Sequence, residues 1–422
     1  MDSQRAGAVH GTAEVIILGA GPAGLVLGNI LRAAGVDCVI LERAARADLG
    51  TRARAGFLAA NTVRVLDRHD LSDGLRRHGQ PHSTCEFRTD GGRFRLDYAS
   101  LGRGEGHTVY PQQYLVADLL AHYEGAGGRI RFAAEALAVR DADAGRTPPS
   151  VTVRTGDGDP VRWQGRYVAG CDGRHGAARR SIPPGAVRRH RIDLGVSWLG
   201  LLAEAPPSLD AVGYAVHSRG FAGHMARTAQ VTRYYLQCAR GTAAVDRSDA
   251  QLWDELELRM RAADHGPLHR GRFLQRAVFD LESDVLEPLR HGSLFLAGDA
   301  ASLLSPSAAK GANLAVLEAE LLADALFAAL RHGSTDALDG YSARALTHVR
   351  QAQRFSQWMI RLLHDVPDLA PATDTVPTTV SDSGDRSEPS PYHTPLQRRP
   401  CLDTLRTSRA EQDWFAEQYV GV

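Results

Sequence analysis

Residues 14–42 constrain the fold more than any other stretch of the chain. Glu14-Val-Ile-Ile-Leu18 reads as a short buried strand and Gly19-Ala-Gly21-Pro-Ala-Gly24 as a turn. An apolar helical pattern follows to Leu31, and Asp37-Cys-Val-Ile-Leu-Glu42 reads as a second strand. A strand–helix–strand unit must run its strands parallel, in a sheet covered by helices. The glycine spacing has a physical content. Gly19 permits a tight turn, Gly21 lets backbone approach a pyrophosphate, and Gly24 lets helix and strand pack closely. The helix N-terminus then faces the anion, and Glu42 can accept from ribose hydroxyls. The unit predicts dinucleotide binding; it does not separate FAD from NAD.

The 422-residue chain is long enough for two or three domains. Its formal net charge is zero, which argues against nucleic acid or an anionic membrane as partner. No apolar run approaches the ~20 residues that span a bilayer, and Met1 to Thr12 lack the apolar core of a signal peptide. The five cysteines, Cys38, Cys85, Cys171, Cys238 and Cys401, are odd in number and form no Cys-x-x-Cys pair. That fits a reducing compartment, the cytoplasm, and argues against a disulfide framework. No His/Cys/Asp cluster has metal spacing, so no metal is expected. Of the 49 basic residues one alone is lysine, Lys310.

Further along, Val168-Ala-Gly-Cys-Asp172-Gly-Arg-His175-Gly-Ala-Ala-Arg179 follows a strand pattern. Leu294-Phe-Leu-Ala-Gly-Asp299-Ala-Ala301 leads into Ser305-Pro306-Ser-Ala-Ala-Lys310-Gly-Ala312-Asn313. Alternating segments such as Val212–Val216 and Arg233–Gln237 predict a largely antiparallel sheet over 183–275. The Ala- and Leu-rich stretch predicts a helix from about Ala312 to His332. Residues 371–400 hold six prolines among Ser, Thr and Asp and are expected to be a flexible loop. Trp414, Phe415 and Tyr419 are expected to dock the C-terminus back onto the body.

In this order behind the glycine turn, the Asp-Gly and Gly-Asp segments resemble those of the group A FAD-dependent aromatic monooxygenases. Trp198-Leu-Gly-Leu-Leu202, Arg219-Gly-Phe221, Arg233-Tyr-Tyr235, Glu287-Pro288 and Tyr419-Val-Gly421 narrow the resemblance to the para-hydroxybenzoate hydroxylase family, from about Ala13 to Val420. The resemblance implies an α/β fold: a Rossmann-like FAD-binding domain (1–81, 107–182, 276–340), an inserted α+β substrate domain of mostly antiparallel sheet (82–106, 183–275) and a C-terminal helical region (341–422). It also implies a homodimer.

By the same resemblance FAD is held by Gly19, Gly21, Gly24, Glu42, Arg43, Arg52, Arg54, Gln112, Asp172, Asp299, Lys310, Ala312 and Asn313. Asp299 serves the ribityl and pyrophosphate region, and backbone N–H groups near Ala312 and Asn313 face the flavin pyrimidine edge. Lys310 either adds positive potential there or is a solvated surface cation. Arg43, Arg52, His175 and Arg179 match residues toward the reduced nicotinamide. Glu282 stands where the family has an Arg, and Ala44–Asp48 lacks the pattern of a firm NADPH preference, so NADPH and NADH both stay open.

The implied reaction is hydroxylation of a 4-hydroxybenzoate-type phenolic acid ortho to its phenol, through a flavin C4a-hydroperoxide, with NAD(P)H and O₂. The ring is reactive only as phenolate. Forming it near pH 7 from a phenol of pKa ~10 costs roughly 4 kcal/mol, so a deprotonation route is needed. The matching residues are Tyr214, Tyr419 and His82, with the Pro306 carbonyl on the same phenol. Arg227 and Tyr235 match the carboxylate site. Met225 replaces a Ser there, Gly223 replaces a larger apolar residue, and Val212 is shorter than its counterpart. A pocket with less polarity and more volume, and a substituted substrate such as an amino-4-hydroxybenzoate from a biosynthetic pathway, are expected. Three other readings stand beside this one: a flavin-dependent halogenase (which the lack of Trp-x-Trp disfavours), a plain nicotinamide dehydrogenase, and a non-catalytic flavin-binding protein.

Overall fold

Val15, Ile16, Ile17 and Leu18 are wholly buried, as a parallel strand covered on both faces requires. The structure, a computed structural model, describes residues 9–49, 56–89, 92–143, 145, 147–156, 158–244, 247–364 and 395–421. Among them, the strand Val9–Leu18 pairs in parallel with Val161–Gly170 on one side and Cys38–Leu41 on the other. Leu294–Leu296 and Arg129–Arg131 extend this parallel sheet outward. The helices Pro22–Ala33, Gln112–Gly125 and Gly311–Arg331 pack together over it. The strand begins earlier than the sequence predicts. Val9–Thr12 carries no hydrophobic pattern and is held by register with Arg162–Gln164.

A second, eight-stranded sheet is antiparallel except where Val212–Ala215 runs beside Thr84–Thr89. The long strands Arg188–Glu204 and Arg272–Glu287 pair toward one edge of it, and Val231–Cys238 and Ala222–Thr228 form its middle. In Val231–Cys238 burial alternates residue by residue. Thr232, Tyr234 and Leu236 therefore face one way, toward the helix Asp249–Arg259, and Arg233 and Tyr235 face the other. A small three-stranded sheet, Phe57–Ala59, His107–Val109 and Gln80–His82, closes one side.

The helices Tyr341–Leu363, Pro395–Thr407 and Arg409–Val420 make the C-terminal region. Most of the expected loop 371–400 lies outside the described residues. Residues 395–400 are a correction: they open a helix, with Pro395 at its first position, where a missing N–H is harmless. Phe415 and Tyr419 dock inward as expected. No helix among the described residues is long and apolar enough to cross a membrane, and no cluster of three metal-ligating side chains occurs among them.

Candidate active site

Gly19 adopts φ +94°, which favours glycine, and a Cβ there would sit 2.6 Å from the Cys171 carbonyl oxygen. A Cβ on Gly24 would lie 2.0 Å from the Gly19 carbonyl oxygen. Gly21, at the N-cap of Pro22–Ala33, would meet nothing within 4 Å. No side chain caps this helix and its first turn has no acid. Its leading N–H groups thus face an open side that suits a pyrophosphate. The Glu42 carboxylate accepts from the backbone N–H of Ala20 (2.6 Å) and Ala44 (2.8 Å), bracing the glycine turn from the next strand. Its remaining lone pairs can accept from a ribose.

Asp172 accepts from the Ala178 N–H at 3.0 Å, and its other oxygen is buried with no protein partner. Burial pushes its carboxyl up. The Gly298–Ala300 turn wedges between two helices: a Gly298 Cβ would meet Ala23 Cβ at 3.1 Å and Ala315 Cβ at 3.6 Å. This puts the partly exposed Asp299 beside the starts of both helices. The Gly311–Arg331 helix also begins without a capping side chain, and Gly311 faces open space. Asn313 commits its side chain to protein: Oδ1 accepts from Ala59 N–H (2.8 Å), and Nδ2 donates to Phe57 (2.9 Å) and Ala309 (2.8 Å) carbonyls. What this helix start offers a ligand is therefore backbone N–H groups, those of Ala312 and Asn313 among them. Two uncapped helix starts, a glycine cradle and an orphaned buried oxygen fit FAD.

Lys310 is not a solvated cation. It is buried, and its Nζ donates to the carbonyls of Gln418 (2.7 Å), Tyr419 (2.9 Å) and Gly421. Burial pushes its pKa down to about 7. Arg43 is exposed after the strand Cys38–Leu41, and Gln112 opens the helix Gln112–Gly125. Arg52 and Arg54 lie outside the described residues.

On the nicotinamide side His175 is exposed, with its Nε2 3.0 Å from Arg174 Nε. Arg179 is tied to buried Asp284 at 2.5 Å, and its Nη1 has no partner. Glu282 pairs with Arg174 and, at 3.0 Å, with Arg191. The acid at this position therefore gathers arginines rather than leaving a gap in the positive surface.

The substrate-side residues share one face of the second sheet. Tyr214 is registered opposite Gly223, Gly223 opposite Tyr235, and Met225 opposite Arg233. Arg227, two residues on, is 9% exposed, and no carboxylate pairs with it among the described residues. Its one side-chain hydrogen bond there is to Gln113 Oε1 at 3.4 Å. Burial lowers its pKa, against the opposing pull of Tyr235. The volume expected at Gly223 is a correction. A Cβ there would meet Phe221 Cζ at 2.9 Å and Tyr235 Cδ2 at 3.2 Å, because the Phe221 ring stacks on Trp198 and covers the glycine. The Pro306 carbonyl accepts from Ala309 N–H at 3.0 Å, which leaves one lone pair.

Tyr214 and Tyr419 meet hydroxyl to hydroxyl at 2.7 Å in the buried interior. His82 bonds instead to Tyr98, 2.7 Å from Nδ1 to the hydroxyl.

The pattern of a known family, described as an FAD binding domain, matches residues 12–356. A p-hydroxybenzoate hydroxylase of Acinetobacter baylyi is 36% identical over 351 residues, which cover 83% of this chain and 86% of that one. The chain belongs to the group A FAD-dependent aromatic monooxygenases. A 3-(3-hydroxy-phenyl)propionate/3-hydroxycinnamic acid hydroxylase of a Mycobacterium is 29% identical over 348 residues, 80% of this chain but 58% of that longer one. Among solved structures, p-nitrophenol 4-monooxygenase of Pseudomonas putida superposes with a TM-score of 0.76 over 97% of this chain and 99% of its own, at 20% identity. The anhydrotetracycline hydroxylase of Streptomyces rimosus gives 0.72 over 97% and 76%, at 21% identity. These two likenesses show the fold.

The monooxygenase is thus a flavin-dependent aromatic hydroxylase carrying FAD and reduced by NAD(P)H. Family membership sets aside the halogenase, dehydrogenase and non-catalytic readings. Two residues that touch the candidate site escaped the sequence reading. Gln113 carried no signal. Glu318 did: it shares an apolar helical stripe with Leu314 and Leu322. It is buried and accepts from Gly298 N–H (2.6 Å) and Ser302 Oγ (3.3 Å), and burial pushes its pKa up to about 8.

Proposed function

We propose that this monooxygenase hydroxylates a 4-hydroxybenzoate-type acid ortho to its phenol, using O₂ and NADPH or NADH, and that the natural substrate carries a further substituent such as an amino group. The observation that carries the reading is Arg227: a guanidinium 9% exposed, without an anion among the described residues, on the sheet face that also bears the Tyr214–Tyr419 hydroxyl pair. An acid at one end and an ionisable phenol at the other match those two features. The p-hydroxybenzoate hydroxylase relative supports the substrate class.

In this reading Arg227 and Tyr235 hold the carboxylate, a charge-assisted bond that contributes roughly 1.5–3 kcal/mol. Tyr214 takes the phenol proton and Tyr419 passes it on toward His82. The Pro306 carbonyl accepts from the phenol. Trp198, Phe221 and Phe279 pack in one apolar cluster with Tyr214 and Tyr235, and in this reading they shield the substrate from water. FAD, when bound, supplies hydride acceptance from the nicotinamide and activation of O₂. Arg43, Arg52, His175 and Arg179 are assigned to the reductant on the family resemblance. Of these, the exposed Arg43 and His175 are free to approach it, and Arg179 acts from within its ion pair.

Met225 supports a substrate other than plain 4-hydroxybenzoate. A thioether near the carboxylate end cannot replace a serine hydroxyl, a loss of ~0.5–1.5 kcal/mol. We place the enzyme in the cytoplasm, in keeping with its five free cysteines, and expect a homodimer, which sedimentation would test.

A turnover screen of substituted 4-hydroxybenzoates decides both parts. A ring-substituted acid is expected to give the highest kcat/KM. Equal turnover of 4-hydroxybenzoate would sink the substituent, and no stimulation of NAD(P)H oxidation by any phenolic acid would sink the substrate class.

A further inference from the structure

Beside the tyrosine pair lies a polar cluster of which the substrate reading uses His82 alone. Tyr98 is fully buried in the turn after the strand Gly92–Asp97. Its hydroxyl is 2.7 Å from His82 Nδ1, 2.9 Å from the His82 carbonyl oxygen and 3.3 Å from His107 Nδ1. The two histidines stand opposite each other on the antiparallel strands Gln80–His82 and His107–Val109. A phenol has one proton to donate. Here that proton has acceptors on both sides, His107 inward and His82 outward.

Tyr419 adjoins this cluster. Its ring stands edge-on to Tyr98 (centroids 4.9 Å, 73°) and to His107 (5.0 Å, 77°). The His107 ring also hydrogen-bonds the Tyr419 backbone. His107 is 4% exposed, whereas His82 reaches the surface in part. The cluster therefore runs from the inner tyrosine to solvent. The charged and titratable groups facing it are Lys310 toward His107, Cys85, Asp97 and Tyr214 toward Tyr98, and Asp210 toward His82. Burial pushes His82 down to about 4 and His107 well below its ordinary range, so both are neutral at pH 7. A neutral imidazole can take up a proton and release it at once.

We propose that Tyr98 and His107 pass the proton between Tyr419 and His82, and so set how fast it leaves the substrate phenol. Neither touches the substrate, so both are positioning residues acting through Tyr419. The inference rests on the phenolic-acid reading above. One O–H bond of the substrate breaks and its oxygen becomes phenolate. Tyr214, Tyr419, His107, Tyr98 and His82 each gain one proton and lose one, and the last goes from His82 to water or buffer base. No electron moves. The hop out of Tyr419 crosses to adjoining rings, a span we assign to one bridging water.

The test uses FAD-loaded enzyme and the best phenolic acid of the screen. Stopped-flow mixing with an indicator dye reads proton release, and absorbance reads bound phenolate. Tyr98→Phe and His107→Gln are each expected to slow release at least about tenfold and to alter the pH profile of kcat. The ligand Kd at a pH where the phenol stays protonated should hold. Mere structural damage would lower the active fraction but not the release rate per active site. Release at the unaltered rate in both variants overturns the proposal. Should a variant fail to fold, a proton inventory on the unaltered enzyme in H₂O/D₂O mixtures serves: a curved dependence is expected, and a linear one overturns it. If the unaltered enzyme yields no phenolate with any acid, the functional reading fails first and this inference falls with it.

Discussion

The hydroxyls of Tyr214 and Tyr419 lie 2.7 Å apart, although 205 residues separate them along the chain. Tyr214 comes from a strand of the second sheet and Tyr419 from the last helix. Burial pushes both phenols well above their usual range, so neither holds a charge near neutral pH. They can act only as neutral carriers, each accepting one proton as it gives up another.

Breaking that pair is expected to cost catalysis more than binding. Tyr419→Phe removes the second carrier and leaves the Tyr214 hydroxyl buried alone. We expect kcat/KM for the phenolic substrate to fall roughly 10²- to 10⁴-fold at pH 7. The loss should shrink as pH rises toward ~10, where the free phenol ionises unaided. A pH–rate profile checks this, and an unchanged profile would refute it.

Arg227 lies buried without an anion among the described residues. Its burial is unfavourable until a carboxylate arrives. Arg227→Met should therefore leave the ligand-free enzyme as stable as before, or more so. It should weaken binding of a hydroxybenzoate about 10- to 100-fold, from the ~1.5–3 kcal/mol of a charge-assisted bond. Thermal melts with and without ligand read both effects.

Glu318, pushed up to about 8 by burial, gives stability a definite pH slope. Its folded pKa lies above the ~4.3 of a free glutamate. Its contribution is therefore complete below about pH 4.3 and is lost as pH climbs through 8. Glu318→Gln cannot ionise and can still accept from Gly298. The variant should gain steadily on the unaltered enzyme as pH rises between those values, and stay level above pH 8. Parallel melts across pH would expose the opposite slope if it existed.

Lys310 titrates with the reverse sign. Its folded pKa, about 7, lies below the ~10.4 of a free lysine. The residue contributes fully above about pH 10.4, and that contribution is lost as pH falls through 7. Its ammonium also satisfies carbonyls at the end of the last helix, where a cation is favoured. Lys310→Met should speed amide hydrogen exchange over residues 409–421 at least severalfold, while Val9–Leu18 keeps its protection. Equal exchange in both proteins would contradict the clamp.

The nucleotide-binding half was legible because its signals are local. A buried run such as Val15–Leu18 and glycines that admit no Cβ announce themselves within a few residues. The geometry around the expected site was legible in part, through resemblance: Tyr214 meets Tyr419, and Arg227 follows Gly223 and Met225 on the neighbouring strand. What lay beyond reach were contacts made by strands too short to show alternation. Gln80–His82 and His107–Val109 span three residues each and set His107 opposite His82, while Tyr98 arrives from the turn after Gly92–Asp97. Gly223 misled for another reason. A missing side chain reads as space in a sequence, but packing gave that space to Phe221.

The hold of Lys310 on the carbonyls of Gln418, Tyr419 and Gly421 joins two distant stretches of chain into one unit of exchange. Recombining this enzyme with other hydroxylases to change its substrate would have to transplant 305–313 and 409–421 together. A chimera that swaps only one of them would set this lysine position against a helix end not shaped to it, and would shift Tyr419, the proton carrier proposed above.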